Sequence, residues 1–224
     1  ADIIKLINAY PEFIEYYKDL VEYRKHPKEL MYMFSEALAI MDRNMERYMI
    51  DDAWLYDELK EYIKPHHNVL VVAFSFRDKR VKNADDWDVY YGKPCGMYYR
   101  GIVDSFKSYG LKEENIKFLN YFTDTKQSAK EKVEKADILY FLGGLPDRMY
   151  ERLAEFELVE DLKKHEGIAI GYSAGAVIQL EEYHLSPDDD YPVFSYNKGI
   201  PYLNGFYIEV HYKNTDTQNA SVRK

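Results

Sequence analysis

The sequence predicts an α/β protein of three layers, in which a mostly parallel sheet carries helices on both faces and follows a helical N-terminal segment. Two observations predict this class. From Asn68 onward, short apolar runs alternate with amphipathic stretches, as βα units require. Before that point, apolar residues recur at spacings of three and four, the period of a helix. With 224 residues, 46% of them hydrophobic, the chain is long enough for one α/β domain and a modest extension.

The N-terminal helical pattern extends to Ile63, where Pro65-His66-His67 interrupts it. We predict a helical extension over residues 1–50 and an α/β domain over residues 51–224, which begins with a helix from Ala53 to Ile63. Later strands are expected at Val69 to Phe74, Ile116 to Tyr121, Ile138 to Leu142, Ile168 to Gly171 and Phe206 to Val210. Helices are expected between them, at Tyr98 to Tyr109, Ser128 to Lys135, Pro146 to Lys164 and Ala174 to Leu180.

The composition excludes several classes. The formal charge of −9 disfavours a nucleic-acid or anionic-membrane surface, and the 23 tyrosines form no evident base-stacking platform. A single cysteine, Cys95, forms no internal disulfide, no apolar run reaches the ~20 residues of a membrane span, and the start lacks the features of a secretory signal. We therefore expect a cytoplasmic protein that binds neither nucleic acid nor membrane.

Ser173 is the residue that most strongly indicates chemistry. It lies in the run Gly171-Tyr172-Ser173-Ala174-Gly175, directly after a predicted strand and before a predicted helix, which is the Gly-x-Ser-x-Gly pattern of a nucleophile elbow. The glycines permit a tight turn and close packing of the helix that follows, so that the serine hydroxyl projects at the carboxyl end of the sheet. The amide of Ala174 would then be one oxyanion donor. A second glycine pair, Gly143-Gly144, follows the neighbouring strand, and its Gly144 amide would be the other donor.

A serine nucleophile needs a base and an acid. Of the six histidines, His26, His66, His67 and His165 are expected on the surface. His211 closes the predicted strand Phe206 to Val210 at the same rim as Ser173, and we prefer it to His184. Spacing alone leaves the acid open among Glu181, Glu182, Asp188, Asp189, Asp190 and Glu209.

The chain resembles the peptidase E group of serine peptidases, which includes aspartyl dipeptidase and cyanophycinase and whose fold is similar to class I glutamine amidotransferases. Three blocks carry the resemblance: Phe141-Leu142-Gly143-Gly144-Leu145-Pro146, Gly171 to Ala176, and Phe206 to Tyr212. The resemblance implies that Ser173 is the nucleophile and His211 the base. It also points to Asp190 as the acid, because a family aspartate precedes a proline by two residues, as in Asp190-Tyr191-Pro192.

The resemblance further implies a small peptide substrate, with Gly143 beside it and Arg148 or Lys198 pairing with an acidic N-terminal residue. No cofactor and no metal are expected, and a homodimer stays open. Relatives begin with a strand before the helix that resembles Ala53 to Ile63, and they continue for several elements beyond the histidine. This chain has helical sequence in front and ends thirteen residues after His211.

Three alternatives remain at this point. An esterase of the α/β-hydrolase fold shares the serine motif, but this serine follows too few strands and no His-Gly oxyanion motif precedes it. A glutamine amidotransferase would need a cysteine nucleophile, and Cys95 lies far from any elbow. A non-catalytic remnant that acts as a binding protein is the third.

Overall fold

The computed structural model of the protein describes residues 56–224. The helical extension predicted for residues 1–50 and its boundary lie outside the described residues, as does the start of the helix predicted from Ala53. The described end of that helix covers 56–59, and turns follow at 60–62. The described residues form two compact units: one comprises 56–65 and 85–113, and the other comprises 66–84 and 114–224.

The first unit is helical. It holds most of α1 (Ala84–Tyr91) and all of α2 (Tyr99–Ser108), and the connection between them contains a cis peptide bond at Lys93-Pro94. Helix α2 buries Ile102, Val103 and Phe106, whose spacing of one, three and four residues defines a single apolar face. The helix predicted from Tyr98 to Tyr109 is therefore confirmed to within one residue at each end.

The second unit contains a four-stranded parallel sheet in the order β2-β1-β3-β4. Its strands are β1 (Val69–Val72), β2 (Ile116–Leu119), β3 (Ile138–Phe141) and β4 (Ile168–Gly171). A 3-10 turn (Glu113–Asn115) precedes β2. The helices that follow β2 are α3 (Lys126–Glu134), α4 (Pro146–Glu155), α5 (Val159–Lys163) and α6 (Ala174–Val177).

The central strand β1 is buried on both faces. Leu70 and Val72 belong to the main apolar core of this unit, while the alternating residues Val69 and Val71 are also almost inaccessible. A strand covered on both sides is apolar throughout, which explains the uninterrupted Val-Leu-Val-Val sequence. These elements confirm the α/β class and the parallel sheet.

A two-stranded antiparallel sheet follows, formed by β5 (Glu182–Leu185) and β6 (Ser195–Lys198), and the chain ends in α7 (Asp216–Val222). No helix within residues 56–224 is both long and apolar enough to cross a membrane.

Three sequence predictions differ from the structure. The segment from Phe206 to Val210 is not a strand, since no strand within the described residues pairs with it. The helix predicted from Pro146 to Lys164 is divided into α4 and α5, and Glu157 between them has a φ of 60°, which a helix cannot contain. The helix after Ser173 ends at Val177 rather than Leu180.

Candidate active site

Ser173 occupies the sharp turn between β4 and α6. Its backbone has φ 52° and ψ −120°, a conformation that side chains other than glycine rarely adopt. Such strain persists only where the surrounding structure fixes it. The turn places the Ser173 hydroxyl beyond the carboxyl end of β4.

The two glycines of the motif are required by packing. A Cβ at Gly171 would lie 2.0 Å from the carbonyl oxygen of Gly175, and a Cβ at Gly175 would lie 1.9 Å from the carbonyl oxygen of Phe141. Helix α6 therefore meets the ends of β3 and β4 through backbone alone. The sequence interpretation of these glycines as close-packing positions agrees with this geometry.

The structure brings Ser173 and His211 together. The Oγ of Ser173 lies 2.8 Å from Nε2 of His211, a hydrogen bond between residues 38 positions apart. His211 is exposed and adopts a positive φ of 55°. It lies in a turn rather than at the end of a strand. In the part of the chain that the structure describes, the His211 ring forms no ion pair with a carboxylate.

The Gly143-Gly144 pair lies beside the elbow. Strands β3 and β4 end level with each other, with Phe141 opposite Gly171. A Cβ at Gly143 would meet the ring of Tyr172 at 2.6 Å, so Gly143 packs directly against the residue that precedes the serine. Gly144 has a φ of 141°, open only to glycine.

Ser75 fixes this glycine loop from within the core. The Ser75 side chain is fully buried, its Oγ donates to the carbonyl of Gly143 at 2.7 Å, and its own carbonyl accepts from the amide of Leu145 at 2.8 Å. Among the hydrogen bonds of the described residues, none uses the amides of Gly144 or Ala174 as donors. An oxyanion donor must have no acceptor within the protein, and among the described residues both amides meet that requirement; Gly144 is exposed, whereas Ala174 is 2% exposed.

The carboxylate of Asp190 is paired with Arg77. It accepts two hydrogen bonds from Arg77, one from Nε at 3.0 Å and one from Nη2. The hydrogen bonds to Arg77 hold the pKa of the Asp190 carboxyl below its ordinary value. The structure thus pairs Asp190 with Arg77 and not with His211, for a reason that sequence spacing cannot reveal.

Arg148 is exposed, and two acidic side chains lie close to its guanidinium. Its Nη1 is 2.7 Å from Glu151, and its Nε is 3.6 Å from Asp78. Lys198 lies on β6, opposite Glu182 in the register of the hairpin. Neither basic side chain makes a described contact with Ser173 or His211.

His184 and Glu209, which the sequence offered as alternatives, form a pair of their own. Nε2 of His184 and Oε2 of Glu209 are 2.6 Å apart, and both side chains are largely buried. Sequence reasoning missed Ser75 and Gln218, whose side chain approaches the backbone of His211. The spacing of Thr215 and Gln218 resembles a capping box and could have indicated the helix that carries Gln218.

No group of three or more histidine, cysteine or acidic side chains within residues 56–224 is arranged to hold a metal ion. Fold and site together define an α/β protein in which a strained serine, at the turn between a strand and a helix, is hydrogen-bonded to a histidine. A model of peptidase family S51 matches residues 96–222, more than half of the sequence. The chain belongs to peptidase family S51, a family of serine-type peptidases.

One similar solved structure is that of a protein from Listeria monocytogenes EGD-e described as a candidate peptidase E. It is 19% identical to this chain, with a TM-score of 0.41. The match covers 56% of this chain and 55% of the other, so the chain spans about half the length of that relative. No curated protein matches the chain at a significant level.

Proposed function

We propose that the chain is a serine-type peptidase that cleaves small peptides through an acyl-enzyme on Ser173. The observation that carries the proposal is the 2.8 Å contact between Ser173 Oγ and His211 Nε2 at a strained elbow. Membership of family S51 supports the same reaction class.

In this mechanism His211 removes the proton from Ser173 Oγ as the oxygen attacks the carbonyl carbon of the peptide bond. The amides of Gly144 and Ala174 donate to the oxyanion that develops on the carbonyl oxygen. The imidazolium of His211 then protonates the leaving amine. A water molecule, deprotonated by His211 in turn, releases the acid and restores Ser173.

Asp190 is the residue that the family resemblance indicated for the third position of the triad, and its carboxylate accepts hydrogen bonds from Arg77. Replacing a triad aspartate with asparagine lowers kcat by about 10⁴-fold. Because the Asp190 carboxylate has Arg77 as its partner, we expect a much smaller loss for Asp190→Asn and a reaction that depends on Ser173 and His211.

The proposed substrate is a small peptide, and an acidic N-terminal residue is its most specific feature. Arg148 and Lys198 are the basic side chains proposed to pair with that residue. Gly143 is proposed to lie along the peptide, because its loop flanks the elbow. A cytoplasmic location, like the absence of nucleic-acid and membrane partners, stays a prediction.

The test is covalent labelling by a fluorophosphonate, which reacts only with an activated serine hydroxyl. We expect the wild-type chain to be labelled once, and Ser173→Ala to be unlabelled while it unfolds at the same temperature. Ser108→Ala is the matched control, because Ser108 is an exposed serine at the end of α2 and should not alter labelling.

A substrate comparison separates the peptidase from its alternatives. Hydrolysis of aspartyl dipeptides with little turnover of a p-nitrophenyl ester supports the proposal, and the reverse preference supports an esterase. A wild-type chain that neither reacts with the fluorophosphonate nor hydrolyses either substrate refutes the proposal and favours a non-catalytic binding protein.

A further inference from the structure

The segment that carries His211 is held by side chains rather than by regular structure. Residues 206–215 belong to no strand and no helix, and His211 lies in their middle with a positive φ. A positive φ costs a residue other than glycine roughly 1 kcal/mol or more, so other contacts must stabilise this conformation. The position of Nε2 beside Ser173 depends on those contacts.

Glu209 anchors the segment on one side. Its Oε2 accepts from Ser186 Oγ at 2.7 Å and lies 2.6 Å from His184 Nε2. The Glu209 side chain is only 12% exposed. The neighbouring side chains Ile208 and Val210 pack against an apolar cluster around Tyr183. Glu209 is therefore fixed to the hairpin two residues before the base.

Gln218 holds the segment on the other side through hydrogen bonds. Its Nε2 donates to the carbonyl oxygen of His211 at 3.2 Å and to Oε1 of Glu209 at 3.3 Å. Its Oε1 accepts from the backbone amide of Lys213 at 2.8 Å. One amide side chain thus contacts the residues two before His211, two after it, and His211 itself.

Helix α7 presents Gln218 in this orientation. Thr215 caps the helix, and its Oγ1 accepts from the backbone amide of Gln218 at 3.3 Å. The backbone of Gln218 is therefore set by the cap while its side chain extends back over the loop. An amide is suited to this role because it both donates and accepts.

We propose that Gln218, acting with Glu209, is a positioning residue that fixes His211 within hydrogen-bond reach of Ser173. The catalytic part of this inference rests on the proposed function. Gln218 touches the backbone of His211 and not its ring, so it acts through the base. Without these hydrogen bonds the loop can move His211 Nε2 away from Ser173 Oγ. A displacement of about 1 Å at a reacting group lowers turnover by about 100-fold.

The variant to test is Gln218→Met, which keeps the length of the side chain and its helix preference but removes both hydrogen-bonding functions. We expect kcat to fall by about 10- to 100-fold with KM unchanged, because the proposed role of Gln218 is to hold His211 and not to bind the substrate. Gln218→Glu, which retains only the acceptor for Lys213, should lose a similar factor. Thr217→Ala, on the exposed side of the same helix, is the matched control and should behave as wild type.

A direct readout follows the Ser173–His211 hydrogen bond itself. When it is the only substitution, Ser173→Ala should shift the ring ¹⁵N resonances of His211. These resonances are assigned by comparison with His211→Gln. In the Gln218→Met background the same serine substitution should produce little shift. A fall in melting temperature with the Ser173-dependent shift intact would show a merely structural role for Gln218 and overturn the inference.

The two proposals fail in different ways. Wild-type kcat and an intact Ser173-dependent shift in Gln218→Met refute the positioning role while labelling of Ser173 still supports the peptidase. An unreactive wild-type Ser173, together with a shift that Gln218→Met abolishes, refutes the peptidase and retains the positioning role.

Discussion

Substitution of Gly175 by alanine tests whether the contact between α6 and the sheet fixes the site. The added Cβ would lie 1.9 Å from the carbonyl oxygen of Phe141 and 2.5 Å from its carbonyl carbon. Both are backbone atoms of β3, which cannot withdraw without disturbing the pairing of β3 with β1 and β4. Helix α6 must therefore move away by about 1 Å or more to restore van der Waals contact.

The energetic cost follows from this overlap. Alanine in a helix is favoured over glycine by about 1 kcal/mol, so helix propensity opposes the effect. Overpacking a fixed backbone contact costs typically 1–3 kcal/mol and occasionally more, and here we expect a net loss of about 2 kcal/mol. For a chain of this size that loss lowers the melting temperature by roughly 4–8 °C. Because α6 begins at Ala174, the same movement displaces Ser173. We expect the rate of fluorophosphonate labelling to fall at least tenfold, which corresponds to an activation barrier higher by roughly 1.4 kcal/mol.

The matched control is Gly205→Ala. Gly205 has a φ of 81°, but a Cβ there would meet no atom within 4 Å, so the substitution introduces backbone strain without overlap. We expect a stability loss of about 1 kcal/mol and unchanged labelling. Thermal unfolding and labelling rates of the two variants are the measurements. A Gly175→Ala variant that labels at the wild-type rate, or that is more stable than Gly205→Ala, would refute the argument from close packing.

Two further predictions concern charged side chains that contact the segment after β1. Arg152→Met should lower the free energy of unfolding by about 3 kcal/mol in urea titrations, because the buried guanidinium donates to two backbone carbonyls that would lose their partner. The exposed Arg148→Met on the same helix should cost less than about 1 kcal/mol, and equal losses would contradict this reasoning. The Arg77 hydrogen bonds lower the pKa of Asp190, so its contribution to stability is fully present above the unfolded-state pKa and is lost as pH falls through the lower folded-state pKa. Asp190→Asn should accordingly be less stable than wild type at pH 7 and approach it below about pH 4, and a constant difference across that range would exclude the ion pair.

Local sequence patterns predicted the parallel sheet and the tight turn at Ser173. Strands β1 and β3 are short apolar runs that are almost wholly buried, and the edge strands β2 and β4 are more exposed but also mostly apolar, so each run could be recognised locally. Gly171 and Gly175 flank Ser173 in the sequence, so their spacing alone indicated the turn, although the contact that requires Gly175 is with Phe141 of β3. His211 was chosen because it closes a predicted strand at the rim of Ser173. The structure places its Nε2 2.8 Å from Ser173 Oγ even though that strand is absent.

The failures share a physical origin in long-range pairing. The segment Phe206 to Val210 is rich in β-branched and aromatic residues, but strand formation needs a neighbouring strand, which a local pattern cannot supply. The hairpin of β5 and β6 was missed because Glu182–Leu185 does not alternate regularly: His184 is buried beside Tyr183 through its pairing with Glu209. Asp190 was matched by its distance from a proline, while its actual partner, Arg77, lies 113 positions earlier.

The hydrogen bond from Ser75 to the loop of Gly143 and Gly144 also affects the direction of one N–H bond. The carbonyl of Gly143 and the amide of Gly144 belong to one planar trans peptide, in which the two groups point in opposite directions. Because the Ser75 hydroxyl donates to the Gly143 carbonyl oxygen on the core side, the N–H of Gly144 points outward. A single buried hydroxyl thereby orients a donor on the opposite edge of the peptide plane, and a rotation of that plane would exchange a donor for an acceptor at the mouth of the site.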